Sequence, residues 1–217
     1  MNLIYCYDAY CGWCYGFSGV IKRIAENYKN DFNIEVLSGG MILPETPQPI
    51  SAIAHYIEKG YAYVEERSGV KFGEDFLFHI KHPDKSDWFP SSEKPAIALC
   101  IFKELFPDRA IEFASDLQYA LNFEGRDLTD NEAYRHLLEK YAIDPVDFYT
   151  KLNSDEYKDK AFYEFQLVKQ LKVESYPQLL LQVSETKFYL LAKGYTDYET
   201  LKNTLDSVLI QVRAAQN

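Results

Sequence analysis

The stretch Tyr5-Cys6-Tyr7-Asp8-Ala9-Tyr10-Cys11-Gly12-Trp13-Cys14-Tyr15-Gly16-Phe17 gathers three of the chain's four cysteines. Upstream, Asn2 to Tyr7 form a short apolar and aromatic run, which predicts a buried strand. Downstream, Phe17, Val20, Ile21, Ile24, Ala25 and Tyr28 recur at helical spacing, which predicts an amphipathic helix over 14–29. Phe32, Ile34 and Val36 then alternate along a second strand, 32–37, closed by Ser38-Gly39-Gly40. The opening therefore reads β-α-β, with Cys11 and Cys14 at its first strand-to-helix junction.

Beyond it the pattern changes. Residues 49–67, 92–106, 108–121, 130–141 and 154–172 are helical candidates, punctuated by Pro83, Pro90, Pro107 and Pro145. The tail is β-rich again. Gln178 to Val183 and Lys187 to Ala192 suit a hairpin turning at Ser184-Glu185-Thr186. A last helix follows Gly194, with Tyr198, Leu201, Leu205, Val208, Leu209 and Val212 on one face. The reading is an α/β chain in which residues 1–45 and 173–217 form one sheet-and-helix unit. Residues 46–172 form an all-helical insertion.

Composition narrows the function classes. The formal net charge is −10 and no basic block is present, which argues against nucleic acid and anionic membrane as partners. No apolar run approaches the roughly 20 residues of a membrane-spanning helix. The start, MNLIYCYD, has neither a basic segment nor a long apolar one, so no signal peptide is read. The expected location is cytoplasmic, where a CxxC is more often catalytic or metal-binding than a structural disulfide.

The junction gives the CxxC its chemistry. The first N–H groups of a helix lack internal partners and the helix dipole is positive there, so a Cys11 thiolate should be stabilised. The thiolate is the species that attacks a disulfide. Cys14 lies one turn on and can reach Cys11. Cys11 is read as the more exposed nucleophile, and Cys14 as the thiol that resolves a mixed disulfide from the buried side. CxxC also binds zinc, and its position inside β-α-β favours redox use. Pro177 heads the QLLLQV strand. Proline is tolerated there because no ladder donor is lost; a cis peptide shaping a loop opposite the CxxC is the functional alternative.

These features together resemble the DsbA-like branch of the thioredoxin superfamily, especially its FrnE-like members. Three segments carry the likeness: Asp8-Ala9-Tyr10-Cys11-Gly12-Trp13-Cys14-Tyr15-Gly16-Phe17, Ser38-Gly39-Gly40-Met41, and Val173-Glu174-Ser175-Tyr176-Pro177. The resemblance implies a thioredoxin fold, β-α-β then β-β-α, split by the helical insertion. It implies thiol–disulfide exchange with Cys11 as nucleophile, Cys14 as resolving cysteine and Pro177 as a cis proline beside them. Gly12, Trp13 and Tyr176 are candidate substrate contacts, and Trp13 with its tyrosines reads equally well as core packing. No cofactor is implied beyond partner thiols, glutathione among them. Partners would be substrate proteins or small thiols and disulfides, with the chain a monomer or homodimer.

Two departures bear on mechanism. Related proteins carry a buried acid six residues before the nucleophile, where this chain has Tyr5, leaving Asp8 as the candidate proton relay. The dipeptide Gly12-Trp13 lacks the histidine of strongly oxidising members, which predicts a less oxidising couple suited to a reductase or isomerase. Two rival readings stand. Cys6, Cys11 and Cys14 have the C-x4-C-x2-C spacing of an iron–sulfur loop, but Cys100, the only other cysteine, lies in the apolar AIALCIF segment. Glutathione-dependent kappa-class transferases and hydroxychromene-carboxylate isomerases resemble the same fold, although they usually place serine at the first cysteine. His79 and His82 are read as two histidines of a surface loop.

Overall fold

The computed structural model describes residues 1–43 and 45–214. Strand β1 (Asn2–Tyr7), helix α1 (Gly12–Asn27) and strand β2 (Asn33–Ser38) form the opening β-α-β unit. Helices α2 (Ser51–Ser68), α3 (Glu74–Lys81), α4 (Glu93–Leu105), α5 (Ala110–Asn122), α6 (Arg135–Tyr141), α7 (Pro145–Leu152) and α8 (Asp155–Gln170) intervene. The chain then closes with strands β3 (Gln178–Gln182) and β4 (Phe188–Lys193) and helix α9 (Tyr198–Ala214). Among the described residues the strands form one sheet in the order β2-β1-β3-β4. β2 runs parallel to β1; β3 is antiparallel to both β1 and β4. This is the thioredoxin arrangement with a helical insertion between β2 and β3.

β1 is central and buried on both faces, which accounts for its unbroken apolar run. Leu3, Tyr5 and Tyr7 point into the main core, and Ile4 and Cys6 into a smaller one with Leu37, Val168 and Leu180. α1 covers the main face. Its Phe17, Ile21 and Ile24 are fully buried, and each contributes about 1.5–3 kcal/mol. Ile21→Ala would remove one of these supports at a cost of about 2–5 kcal/mol. The main core continues without a break into the insertion through Phe102, Phe113, Leu117 and Tyr134.

α8 packs on the opposite side, against β2. There the nearly buried Glu164 accepts from the Ser38 N–H at 2.9 Å and pairs with Lys103 of α4. Lys103 also donates to the Val36 carbonyl at 2.9 Å.

The structure corrects the sequence reading in three places. α3 and α7 are helices that periodicity did not reveal. The expected 130–141 helix begins as a 3-10 turn, Asn131–Tyr134, before α6. His79 does not lie in a loop: it sits on α3, stacked on Trp88 with ring centroids 4.0 Å apart, its Nδ1 2.7 Å from Ser86 Oγ. No helix among the described residues is long and apolar enough to cross a membrane.

Candidate active site

Cys11 is the N-cap of α1. Its backbone is extended (φ −83°, ψ 107°), and its sulfur accepts the Cys14 N–H at 3.3 Å. A sulfur thus takes the place that a serine or aspartate oxygen often fills at a helix start. The same N–H would hold a thiolate more strongly than a thiol. Cys11 Sγ also lies 3.5 Å from the Tyr176 carbonyl oxygen. The Tyr176–Pro177 peptide is cis, so the bond that the sequence left open adopts the functional alternative. The order of exposure matches expectation, although both cysteines are buried: Cys11 retains 6% of its surface and Cys14 none. Burial pushes the Cys14 thiol well above its ordinary value, and the adjoining Cys11 sulfur adds to the effect.

Asp8 organises the turn that presents Cys11. Its Oδ1 accepts from Tyr10 N at 3.0 Å and from Ser92 Oγ at 2.9 Å, and its Oδ2 accepts from Met41 N at 2.7 Å. Its carbonyl accepts from Cys11 N at 3.1 Å and from Gln118 Nε2 at 3.2 Å. Burial raises the Asp8 carboxyl, while the Met41 and Tyr10 N–H groups and the Ser92 hydroxyl act in the opposite sense. One aspartate therefore joins the active-site turn to the β2 loop, to the start of α4 and to α5. Ser92 and Gln118 were not visible in the sequence as site residues. Each is a single side chain far along the chain from Asp8, with no spacing to mark it.

The loop after β2 fits against the loop before β3. Tyr176 Oη donates to the Gly39 carbonyl at 2.9 Å. A Cβ on Gly39 would stand 2.1 Å from the Tyr176 ring, so only glycine permits this approach. A groove of about 490 Å³ borders the pair and is lined in part by Gly40, Phe165, Lys169 and Lys172.

The insertion reaches the dithiol too. Phe72, between α2 and α3, covers Gly12 at a distance that leaves a Cβ only just enough room (3.4 Å). It is fixed by Phe72 N donating to Glu65 Oε1 at 2.8 Å and by Tyr15 Oη donating to the Lys71 carbonyl at 2.8 Å. Trp13 is half-buried between Tyr63 of α2, edge-on at 5.5 Å, and Tyr195 at 6.0 Å. The Trp13 ring packs as expected for a core aromatic, while Tyr63 beside it stays 54% exposed.

Cys6 is not brought to this site. It faces the smaller core on the other side of the sheet, in the same cluster as Val168 of α8. Among the described residues no three His, Cys, Asp or Glu side chains are grouped to hold a metal ion. The C-x4-C-x2-C spacing therefore does not converge.

No protein-family model and no curated protein matches the sequence. Solved structures do. A candidate protein disulfide isomerase from Nitrosomonas europaea is 25% identical, with 97% of this chain and 98% of that one covered and a TM-score of 0.78. The cytosolic disulfide reductase DsbM from Pseudomonas aeruginosa is 19% identical, with 99% and 100% covered and a TM-score of 0.77; it has also been solved with GSH. A 2-hydroxychromene-2-carboxylate isomerase shares the fold at 12% identity over the full length of both chains, with a TM-score of 0.68. The sheet order, the insertion between β2 and β3 and these end-to-end overlaps show that the chain has the fold of these structures, a thioredoxin-type sheet split by a helical insertion.

Proposed function

We propose that the chain is a thiol–disulfide oxidoreductase, working as a reductase or isomerase on protein or small-molecule disulfides. The observation that carries this reading is the Cys11 sulfur at the N-cap of α1, held by the Cys14 N–H and facing the Tyr176 carbonyl. The Cys11 thiolate attacks a substrate disulfide, and one substrate sulfur leaves as a thiolate. Cys14 then attacks Cys11, the second substrate sulfur leaves, and the protein holds a Cys11–Cys14 disulfide. The substrate gains the two electrons that the protein loses. Two glutathione thiols return them and become glutathione disulfide.

Gly12, Trp13 and Tyr176 contact the substrate in this reading, and Asp8 holds the turn and serves as the candidate proton relay. No cofactor is required. DsbM, named as a cytosolic reductase and solved with GSH, supports a small-thiol partner and a cytoplasmic setting. The groove beside Tyr176, with Lys169 and Lys172, suits an anionic thiol such as glutathione.

The test is a redox titration in glutathione buffers, followed by alkylation and peptide mass mapping. A reversible two-electron transition confined to Cys11 and Cys14 is expected, and its midpoint separates reductase from oxidase. Cysteines that never pair would overturn the proposal. The full-length overlap with the hydroxychromene-carboxylate isomerase keeps a second reading, a glutathione-dependent isomerase or transferase. Turnover of such a substrate by a Cys14→Ser variant would favour it, because that chemistry needs no resolving thiol.

A further inference from the structure

Tyr5 carries a polar group that the fold leaves without use. The residue is 1% exposed, and its hydroxyl has no hydrogen-bond partner among the described residues. An unpaired buried hydroxyl is costly, so its neighbours matter. On β1, Tyr5 points toward α1, and its ring lies 5.9 Å from that of Phe17. Cys14, one helical turn before Phe17 on α1, belongs to the same core cluster as Tyr5 and lies within reach of its hydroxyl. Of the ionisable groups, Cys14 acts on Tyr5 most strongly, followed by Cys11 and Tyr7.

Accepting the exchange reading above, we propose that Tyr5 is a positioning residue whose hydroxyl donates a hydrogen bond to the Cys14 sulfur once that sulfur carries charge. In the resting dithiol the neutral sulfur is only a weak acceptor for it. In the mixed disulfide, Cys14 must lose its proton in a place that water does not reach, since none of its surface is exposed. The Asp8 carboxylate is already engaged by three donors and brings a negative charge of its own. Tyr5 adds a donor without a charge. The Cys14 proton passes to Asp8, the candidate relay, as Cys14 attacks Cys11; the Cys11–substrate bond breaks, and the departing substrate sulfur takes that proton up from the relay. The other ionisable groups around Cys14 are Tyr7, Asp8, Cys11 and Tyr176: Asp8 and Cys11 bring negative charge when ionised, the Tyr176 hydroxyl is already given to the Gly39 carbonyl, and the Asp8 backbone N–H is a donor that the Tyr5 hydroxyl joins.

The reduced protein with the aromatic disulfide dithionitrobenzoate separates the steps. Attack by Cys11 releases one nitrothiobenzoate, and attack by Cys14 releases the second. Tyr5→Phe should leave the first release unchanged. It should slow the second about tenfold and raise the midpoint of its pH profile by about one unit. Melting temperature should stay level or rise, because the variant removes an unpaired buried hydroxyl. As a second measurement, the pH at which Cys14 ionises in a Cys11→Ser background should move up when Tyr5→Phe is added. An unaltered second release together with an unaltered Cys14 ionisation overturns the role of Tyr5 while leaving the exchange reading intact. A wild-type protein that gives no second release overturns both.

Discussion

The four cysteines fall into two pairs, Cys11 and Cys14 at the start of α1 and Cys6 and Cys100 around Glu164 of α8, and exposure does not tell the pairs apart. Cys100, at 8%, is slightly more exposed than Cys11 at 6%, while Cys6 and Cys14 are both fully buried. What differs is the field. On the α1 side, Cys11 meets a helix N-terminus and a backbone N–H. On the α8 side, Cys100 donates to Glu164 at 3.4 Å, and the same carboxylate acts on Cys6. Burial pushes both Cys6 and Cys100 up to about 12, with Glu35 and then Glu164 adding to the effect at Cys6 and Glu164 at Cys100. The contrast rests on Cys11, which is presented at a helix start, whereas Cys6 and Cys100 sit beside carboxylates.

The largest test of this contrast is Cys11→Ser. It should abolish disulfide exchange, because neither Cys6 nor Cys100 can stand in; residual exchange through either would end the distinction. With the native wild-type protein at neutral pH, alkylation followed by peptide mapping should find Cys11 modified first and Cys6 and Cys100 untouched.

Next in size is the support of the inert face. Lys103→Met would leave Glu164 buried without its cation, and denaturant unfolding should register a loss of roughly 3 kcal/mol. The exchange rate should hold, since neither residue touches the dithiol.

The last effect vanishes at neutral pH and is confined to alkaline solution. The unfolded thiols ionise near 9.0, while the folded Cys6 and Cys100 wait until about 12. Both pKa values are raised by folding, so their contribution is complete below pH 9 and is lost as pH climbs toward 12. Unfolding curves across that range should fall with pH, and replacing both residues by alanine should flatten the fall.

The same contrast explains what could be read from sequence. Cys11, Cys14 and Asp8 lie in one short stretch whose spacing is set by a strand end and a helix start. Chemistry and local geometry therefore coincide there. Pro177 could be placed but not given its isomer. Ser92, Gln118 and Phe72 could not be found, because each reaches the site from a different part of the insertion and obeys no local period.

The fold behaves likewise. β1, α1 and β2 are long enough to show their repeat. α3 buries only Phe76 and Ile80, too few positions to establish one. α7 did announce itself: Asp144 caps it by accepting the Asp147 N–H at 2.8 Å, and Pro145 follows as its first residue. Reading Pro145 as a break rather than a beginning concealed the helix.

The bonds from Lys103 and Glu164 to β2 have a consequence for assembly. β2 is a margin of the sheet, and the Val36 carbonyl and Ser38 N–H are the groups a visiting strand would seek there. Both are occupied from within the molecule. The opposite margin, β4, keeps Phe188 and Leu190 in solvent. If another strand ever lengthens this sheet, whether by pairing of copies or by an extended peptide, it can do so at β4, and the helical insertion serves as the guard of the other border.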